Sequence, residues 1–112
     1  MAELELLRHL QPGWCGPGSR PPAAAPLANY ELFMAGPGGQ LGTRTEPVAT
    51  ADGGIRLEWN QFGDEYIAEI EPTGGLYLCV LRSDGQDEDR AVSAFSVETL
   101  TAFCRTGELP PV

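Results

Sequence analysis

The chain has 112 residues, of which 42% are hydrophobic, so it is long enough for one domain and too short for two separate cores. It carries 16 acidic residues against 7 basic ones, all of them arginine, and its formal net charge is -9. Direct binding to a nucleic-acid backbone or to an anionic membrane needs a cationic patch, and this charge argues against both. It permits binding to a basic protein, or competition for a site that normally receives phosphate.

Two helices are predicted in the N-terminal segment, residues 1–42. Leucines spaced three or four apart predict an amphipathic helix over residues 2–10, which Pro12 and Gly13 end. The proline- and glycine-rich loop that follows contains Trp14, which we expect to anchor it to the body of the protein. A second helix is predicted from Ala23 or Pro26 through Ala35, followed by a loop over residues 37–42.

The segment 43–96 predicts an antiparallel sheet of four to five strands. Strands are expected at 55–60, 65–71, 76–83 and 90–95, with a possible edge strand at 43–50 that contains Pro47. Asp52-Gly53 predicts a tight two-residue hairpin, and further turns are expected near residues 63–64 and 74–75.

Alternation within these strands predicts one apolar and one acidic face. Ile55, Leu57 and Trp59 fall on one side, and the residues between them fall on the other. Matching the apolar faces of the second and third strands predicts four opposed pairs. They are Leu57 with Ile70, Trp59 with Ala68, Glu58 with Glu69, and Arg56 with Glu71. Like charges directly opposed cost some tenths of a kcal/mol. A merely solvated face tolerates that cost, and the alternative is that a cationic partner neutralises the pair.

The chain ends in a third predicted helix over residues 97–106, with Ser96 as N-cap and Gly107 as terminator. The resulting fold class is α+β, an antiparallel meander with two N-terminal helices and one C-terminal helix. Residues 1–112 are expected to form a single domain, with the helices on one face of the sheet.

Residue spacing gives no motif of catalysis or metal binding. Cys15, Cys79 and Cys104 are far apart, which fits neither a disulfide framework nor, with His9, a zinc site. The acidic stretch 84–89 lacks the spacing of a calcium loop, and the glycine-rich segments lack the ending of a phosphate loop. We therefore predict no catalytic residue, no cofactor and no metal. Without an apolar span or a signal peptide, a reduced cytoplasmic protein is expected.

Two blocks of sequence resemble a family of short uncharacterised bacterial proteins, which carry a GW-x-G loop rich in proline and glycine and then a dGG-x-x-LEW hairpin. The matching positions are Trp14, Gly16, Gly18, Pro21, Asp52, Gly53, Gly54, Leu57, Glu58 and Trp59. Cys15 stands where the family pattern has an aspartate. The resemblance implies a bacterial or phage origin and the α+β hairpin arrangement, and it implies no activity.

The sequence as a whole predicts a small acidic protein-interaction module that is not an enzyme. It would neutralise or inhibit a basic, nucleic-acid-binding protein, as an antitoxin, an immunity-like protein or a phage-borne inhibitor of host defence does. An adaptor subunit of a larger assembly is the alternative, and a small hydrolase using paired carboxylates is a third. The candidate partner-binding residues are Glu58, Glu69, Glu71, Asp84, Asp87, Glu88, Asp89 and Trp14.

Overall fold

The computed structural model describes residues 2–40 and 46–111. The helices are α1 (Ala2–Arg8), α2 (Ala24–Ala35) and α3 (Val97–Thr106), with a short 3-10 segment at Pro37–Gln40. The strands are β1 (Glu46–Ala49), β2 (Ile55–Gln61), β3 (Asp64–Ile70), β4 (Leu76–Leu81) and β5 (Glu88–Val92).

The five strands form one antiparallel sheet in the order β1-β2-β3-β4-β5, so every strand pairs with its neighbour in the chain. The predicted α+β fold is confirmed. Several predicted bounds were wrong by one to three residues: α1 ends at Arg8 rather than at residue 10, and β5 spans Glu88–Val92 rather than 90–95. Of the edge strand predicted at 43–50, residues 43–45 lie outside the described residues, as do residues 41 and 42 of the loop predicted before it.

The pairing of β2 with β3 differs from the predicted register by two residues. The turn consists of Phe62 and Gly63 alone, with φ values of 55° and 78°, and Gln61 pairs with Asp64. Two consecutive positive φ angles are typical of a type I′ turn, whose backbone twist matches the right-handed twist of the flanking strands. The observed pairs are Leu57 with Ala68, Trp59 with Tyr66, Glu58 with Ile67, and Arg56 with Glu69. A shift of two residues keeps every side chain on its face, so the match of apolar faces could not reveal it.

The connection between β1 and β2 is also longer than predicted. Asp52-Gly53 does not form a two-residue hairpin, because residues 50–54 all lie between the strands. The Thr50 backbone N–H donates to the Gly54 carbonyl at 3.0 Å, and the Thr50 hydroxyl accepts from the Gly54 N–H at 2.9 Å. The Thr50 hydroxyl also donates to the Asp52 carboxylate, so side chains hold this wider turn.

The core lies between one face of the sheet, here called the inner face, and the helices. Trp59, predicted to be buried, is only 5% exposed. The helices contribute Leu7, Tyr30, Phe33, Leu100, Phe103 and Cys104 to this core. The sheet contributes Ile55, Leu57, Trp59, Tyr66, Ala68, Ile70, Leu76, Leu78 and Val80.

The caps of α3 follow the prediction. The Ser96 hydroxyl accepts from the Thr99 backbone N–H at 3.2 Å. Gly107 adopts a left-handed conformation with φ 71°, and its N–H donates to the Phe103 carbonyl at 2.8 Å. These contacts satisfy orphan backbone groups at both ends of the helix.

Backbone hydrogen bonds tie the proline- and glycine-rich loop to the β1–β2 turn. The Arg20 N–H donates to the Ala51 carbonyl and the Ala23 N–H to the Gly53 carbonyl, each at 2.8 Å. The half-buried Trp14 closes the loop on itself, since its indole N–H donates to the Arg20 carbonyl at 2.7 Å. The bonds from this loop to the β1–β2 turn therefore come from the backbone of Arg20 and Ala23, and the hydrogen bond of Trp14 stays within the loop.

Candidate protein-binding surface

The face of the sheet opposite the helices is here called the outer face. The strand register puts every second residue on it, because directly paired residues point the same way. Its members are Glu46, Val48, Arg56, Glu58, Asn60, Glu65, Ile67, Glu69, Tyr77, Cys79, Leu81, Asp89 and Ala91.

Five carboxylates share the outer face with a single arginine, counting only residues that the structure describes. They are Glu46, Glu58, Glu65, Glu69 and Asp89. The Arg56 Nε lies 2.9 Å from Glu58 Oε1 and 4.0 Å from Glu69 Oε1. The shorter contact is an ion pair without the alignment of a hydrogen bond, since Nε is buried and has no hydrogen-bond acceptor. Arg56 thus separates the two glutamates that were predicted to oppose each other, and the face stays strongly negative.

Glu69 is a half-buried carboxylate beside Arg56. Partial burial raises the pKa of its carboxyl group, and the nearby Arg56 opposes that effect. The charges of Asp52 and Glu71 raise the pKa further. Ionised Glu69 is therefore held at a cost, which a second cation beside it would reduce.

The middle of the outer face is apolar. One row across the sheet runs from Glu46 through Glu58, Ile67 and Cys79 to Asp89. Ile67 is only 7% exposed although it points away from the core. The exposed part of this row therefore consists mainly of its carboxylates, Glu46, Glu58 and Asp89.

Cys79 in this row and Tyr77 in the next outer-face row are neighbours on β4. The Tyr77 hydroxyl donates to the Asp89 carboxylate at 2.7 Å, and this hydrogen bond raises the pKa of Tyr77. Burial raises the pKa of the Cys79 thiol, and the negative charge of Asp89 adds to the effect. Both groups are held in their neutral forms, whereas a nucleophilic cysteine needs a lowered pKa.

The structure does not bring all the predicted site residues together. Glu58, Glu69 and Asp89 lie on the outer face, whereas Glu71 follows β3 at one end of the sheet. Asp84 and Asp87 lie at the other end, in the β4–β5 turn, where they accept backbone N–H groups of Gln86 and Arg82 at 2.9 Å. Glu88 pairs with Val80 of the inner face, and its carboxylate lies 3.6 Å from Arg82.

Trp14 lies elsewhere, in a groove that sequence reasoning did not predict. The groove, here called the α1–β1 groove, has a volume of about 330 Å³. Its lining residues are Leu6, Leu7, Leu10, Trp14, Glu46, Pro47, Val48 and Ala49. The leucine spacing signalled the helix, but Leu7 turns into the core while Leu6 is 71% exposed.

The three cysteines are free thiols in separate places: Cys15 is exposed, Cys79 half-buried and Cys104 buried. Within residues 2–40 and 46–111, no three His, Cys, Asp or Glu side chains come together as a set of metal ligands. In the same ranges, no helix is long and apolar enough to cross a membrane.

Comparisons with protein-family models, with curated proteins and with solved structures found no match.

Proposed function

We propose that this chain is a small acidic interaction module that binds a basic protein through its outer face and thereby neutralises or inhibits it. The observation that carries the proposal is the charge of that face. Five carboxylates surround Ile67. Among the residues that the structure describes, Arg56 is the arginine of this face, and it is already paired with Glu58. A surface of this kind steers a cationic partner into contact and rejects an anionic one.

Inhibition follows from what a cationic partner surface ordinarily binds. Proteins bind nucleic acid through arginine- and lysine-rich patches that neutralise phosphates. A carboxylate-rich face that covers such a patch competes with the nucleic acid for it. This mode of action suits an antitoxin, an immunity-like protein or a phage-borne inhibitor of host defence, working in the cytoplasm. The resemblance to short bacterial proteins is consistent with these roles.

A second candidate is an adaptor subunit, which the apolar lining of the α1–β1 groove favours. An adaptor would hold its partner chiefly by apolar contact, so salt would affect its binding little. An inhibitor acting through the outer face would bind more weakly as salt rises. Salt dependence therefore separates the two roles.

The test is capture of the partner by immobilised wild-type chain and by two variants of equal charge. Glu58→Gln with Glu69→Gln changes the outer face, whereas Glu98→Gln with Glu108→Gln changes exposed carboxylates in and after α3. The wild type and the second variant should retain a basic protein, and salt should release it. The free chain should displace nucleic acid from that protein. Equal retention by the outer-face variant, or a captured partner without excess positive charge, would contradict the proposal.

A further inference from the structure

Two of the exposed large hydrophobic side chains lie in one place. Across the described residues these side chains are Leu6, Leu32, Val48 and Phe62. Leu6 is 71% exposed and Val48 is 53% exposed, and both line the α1–β1 groove. Isolated exposed hydrophobic residues are common on protein surfaces, but a group of them around a concave surface marks a binding site.

The lining of the groove selects an apolar occupant. Seven of its eight lining residues are apolar or aromatic, and Glu46 is the charged one. The Trp14 indole N–H, which could otherwise orient a polar ligand, is already bonded to the Arg20 carbonyl. A volume of about 330 Å³ accommodates large aliphatic side chains. Polar small molecules need several convergent polar groups, which these lining residues do not supply.

The backbone of β1 is poorly suited to receiving an added strand. The Thr50 N–H donates to the Gly54 carbonyl, so this pair is a hydrogen-bonded one. Because hydrogen-bonded and non-hydrogen-bonded pairs alternate, the backbone polar groups of Pro47 and Ala49 point away from β2, toward the open edge of the sheet. Proline has no N–H, so this edge lacks one of the donors that a new strand would need. The groove is therefore suited to side chains rather than to strand addition.

The groove is continuous with the acidic surface. Val48 and Ala49 also line a second depression of about 490 Å³, which contains Asp52, Arg56, Glu58 and Glu69. Those three carboxylates outnumber the single arginine. A segment crossing Val48 would thus meet an apolar groove on one side and a negative depression on the other.

We infer that the α1–β1 groove holds one or two large aliphatic side chains of the basic partner, next to an arginine or lysine that enters the depression beside Glu58 and Glu69. This inference rests on the proposed function. It adds that the partner segment bound by the outer face carries large aliphatic side chains next to its basic residue. Burial of a leucine side chain makes binding about tenfold tighter or more. The carboxylates supply the preference for a cation.

Four synthetic peptides of equal length test the inference. They combine leucine or serine at the apolar positions with arginine or glutamine at the charged positions, and their dissociation constants are measured by NMR titration. The leucine-arginine peptide should bind at least about tenfold more tightly than the serine-arginine peptide. Its leucines should shift the resonances of Leu6 and of the Trp14 indole N–H.

Variants of the chain provide the matched control. Leu6→Gln with Val48→Thr should remove the advantage of leucine. Leu32→Gln should keep it, because Leu32 is 59% exposed and is not one of the residues that line the groove. Both sites in the double variant are exposed, and its thermal midpoint checks the fold. If that variant unfolds, the titration of the wild-type chain with the four peptides still tests the inference.

The possible failures are distinguishable. If both arginine peptides bind equally and leave Leu6 and Trp14 unshifted, the groove inference is wrong and the proposed function stands. If arginine gives no advantage over glutamine, the proposed function is wrong, and the inference fails with it.

Discussion

The indole of Trp59 stacks on the ring of Tyr66, its direct partner across the β2–β3 pair, with 5.7 Å between the ring centroids and 11° between the planes. Phe103 of α3 meets both rings edge-on, at 5.6 Å from each centroid. This aromatic cluster joins the sheet to the C-terminal helix.

Replacing Trp59 by alanine should lower the free energy of unfolding by about 3–5 kcal/mol, because the change leaves a large cavity beside Tyr66 and Phe103. Chemical denaturation of both proteins measures the difference. Leu32→Ala, at a site 59% exposed, is the control and should change stability far less. A loss below about 1 kcal/mol for Trp59→Ala would mean that the cluster is not packed as described.

Gly63→Ala should destabilise the fold by about 1–2 kcal/mol although nothing lies within 4 Å of the added methyl group. The cost comes from φ 78°, a left-handed conformation that disfavours a Cβ atom. Chemical denaturation of the variant and of the wild type measures the difference. Equal denaturation midpoints for the Gly63 variant and the wild type would contradict the two-residue turn.

Glu69→Gln should raise stability at pH 7 by up to about 1 kcal/mol and leave it unchanged at acid pH. The folded-state pKa of Glu69 lies above its unfolded value, so the folded chain favours the protonated form. The stability that this preference gives is complete below the unfolded pKa and is lost as pH rises through the folded pKa. Urea denaturation at pH 7 and below about pH 4 tests the prediction. Glu65→Gln, on the same strand, is the control; a Glu69 variant less stable than wild type at pH 7 would overturn it.

Native-state thiol titration should show one fast thiol, Cys15, which is exposed. Burial raises the pKa of Cys104 to about 12, and it also raises that of Cys79, so both should react slowly as neutral thiols. Denaturant should expose all three. Loss of the fast phase in Cys15→Ser would assign it, and fast reaction of Cys104 in the folded chain would contradict the packing of α3.

The elements of the fold follow from local sequence, but the β2–β3 register does not. Alternation put Trp59 on the inner face, and Ser96 and Gly107 marked the ends of α3. Apolar matching could not distinguish registers that differ by two residues. The register is set by the two-residue turn, in which Phe62 has a positive φ. Positive φ is rare for a phenylalanine, so the sequence did not predict this turn.

The candidate surface was only partly predictable for a similar reason. Alternation placed Glu58 and Glu69 on one face, but it could not show that Arg56 lies between their carboxylates. The sequence also predicted Glu88 as one of the partner-binding carboxylates, although its pairing with Val80 places it on the inner face of the sheet. The α1–β1 groove joins parts of the chain about forty residues apart, and only tertiary structure brings them together.

The most direct test of the central claim is the association rate constant with the captured basic partner, measured by stopped flow across a range of ionic strength. The wild-type rate should fall steeply as salt rises, because screening weakens the attraction between the outer face and the partner. Glu58→Gln with Glu69→Gln should slow association at low salt, and Glu98→Gln with Glu108→Gln should do so much less. At high salt the three rates should converge. A rate independent of salt, or equal slowing by both double variants, would contradict binding through the outer face.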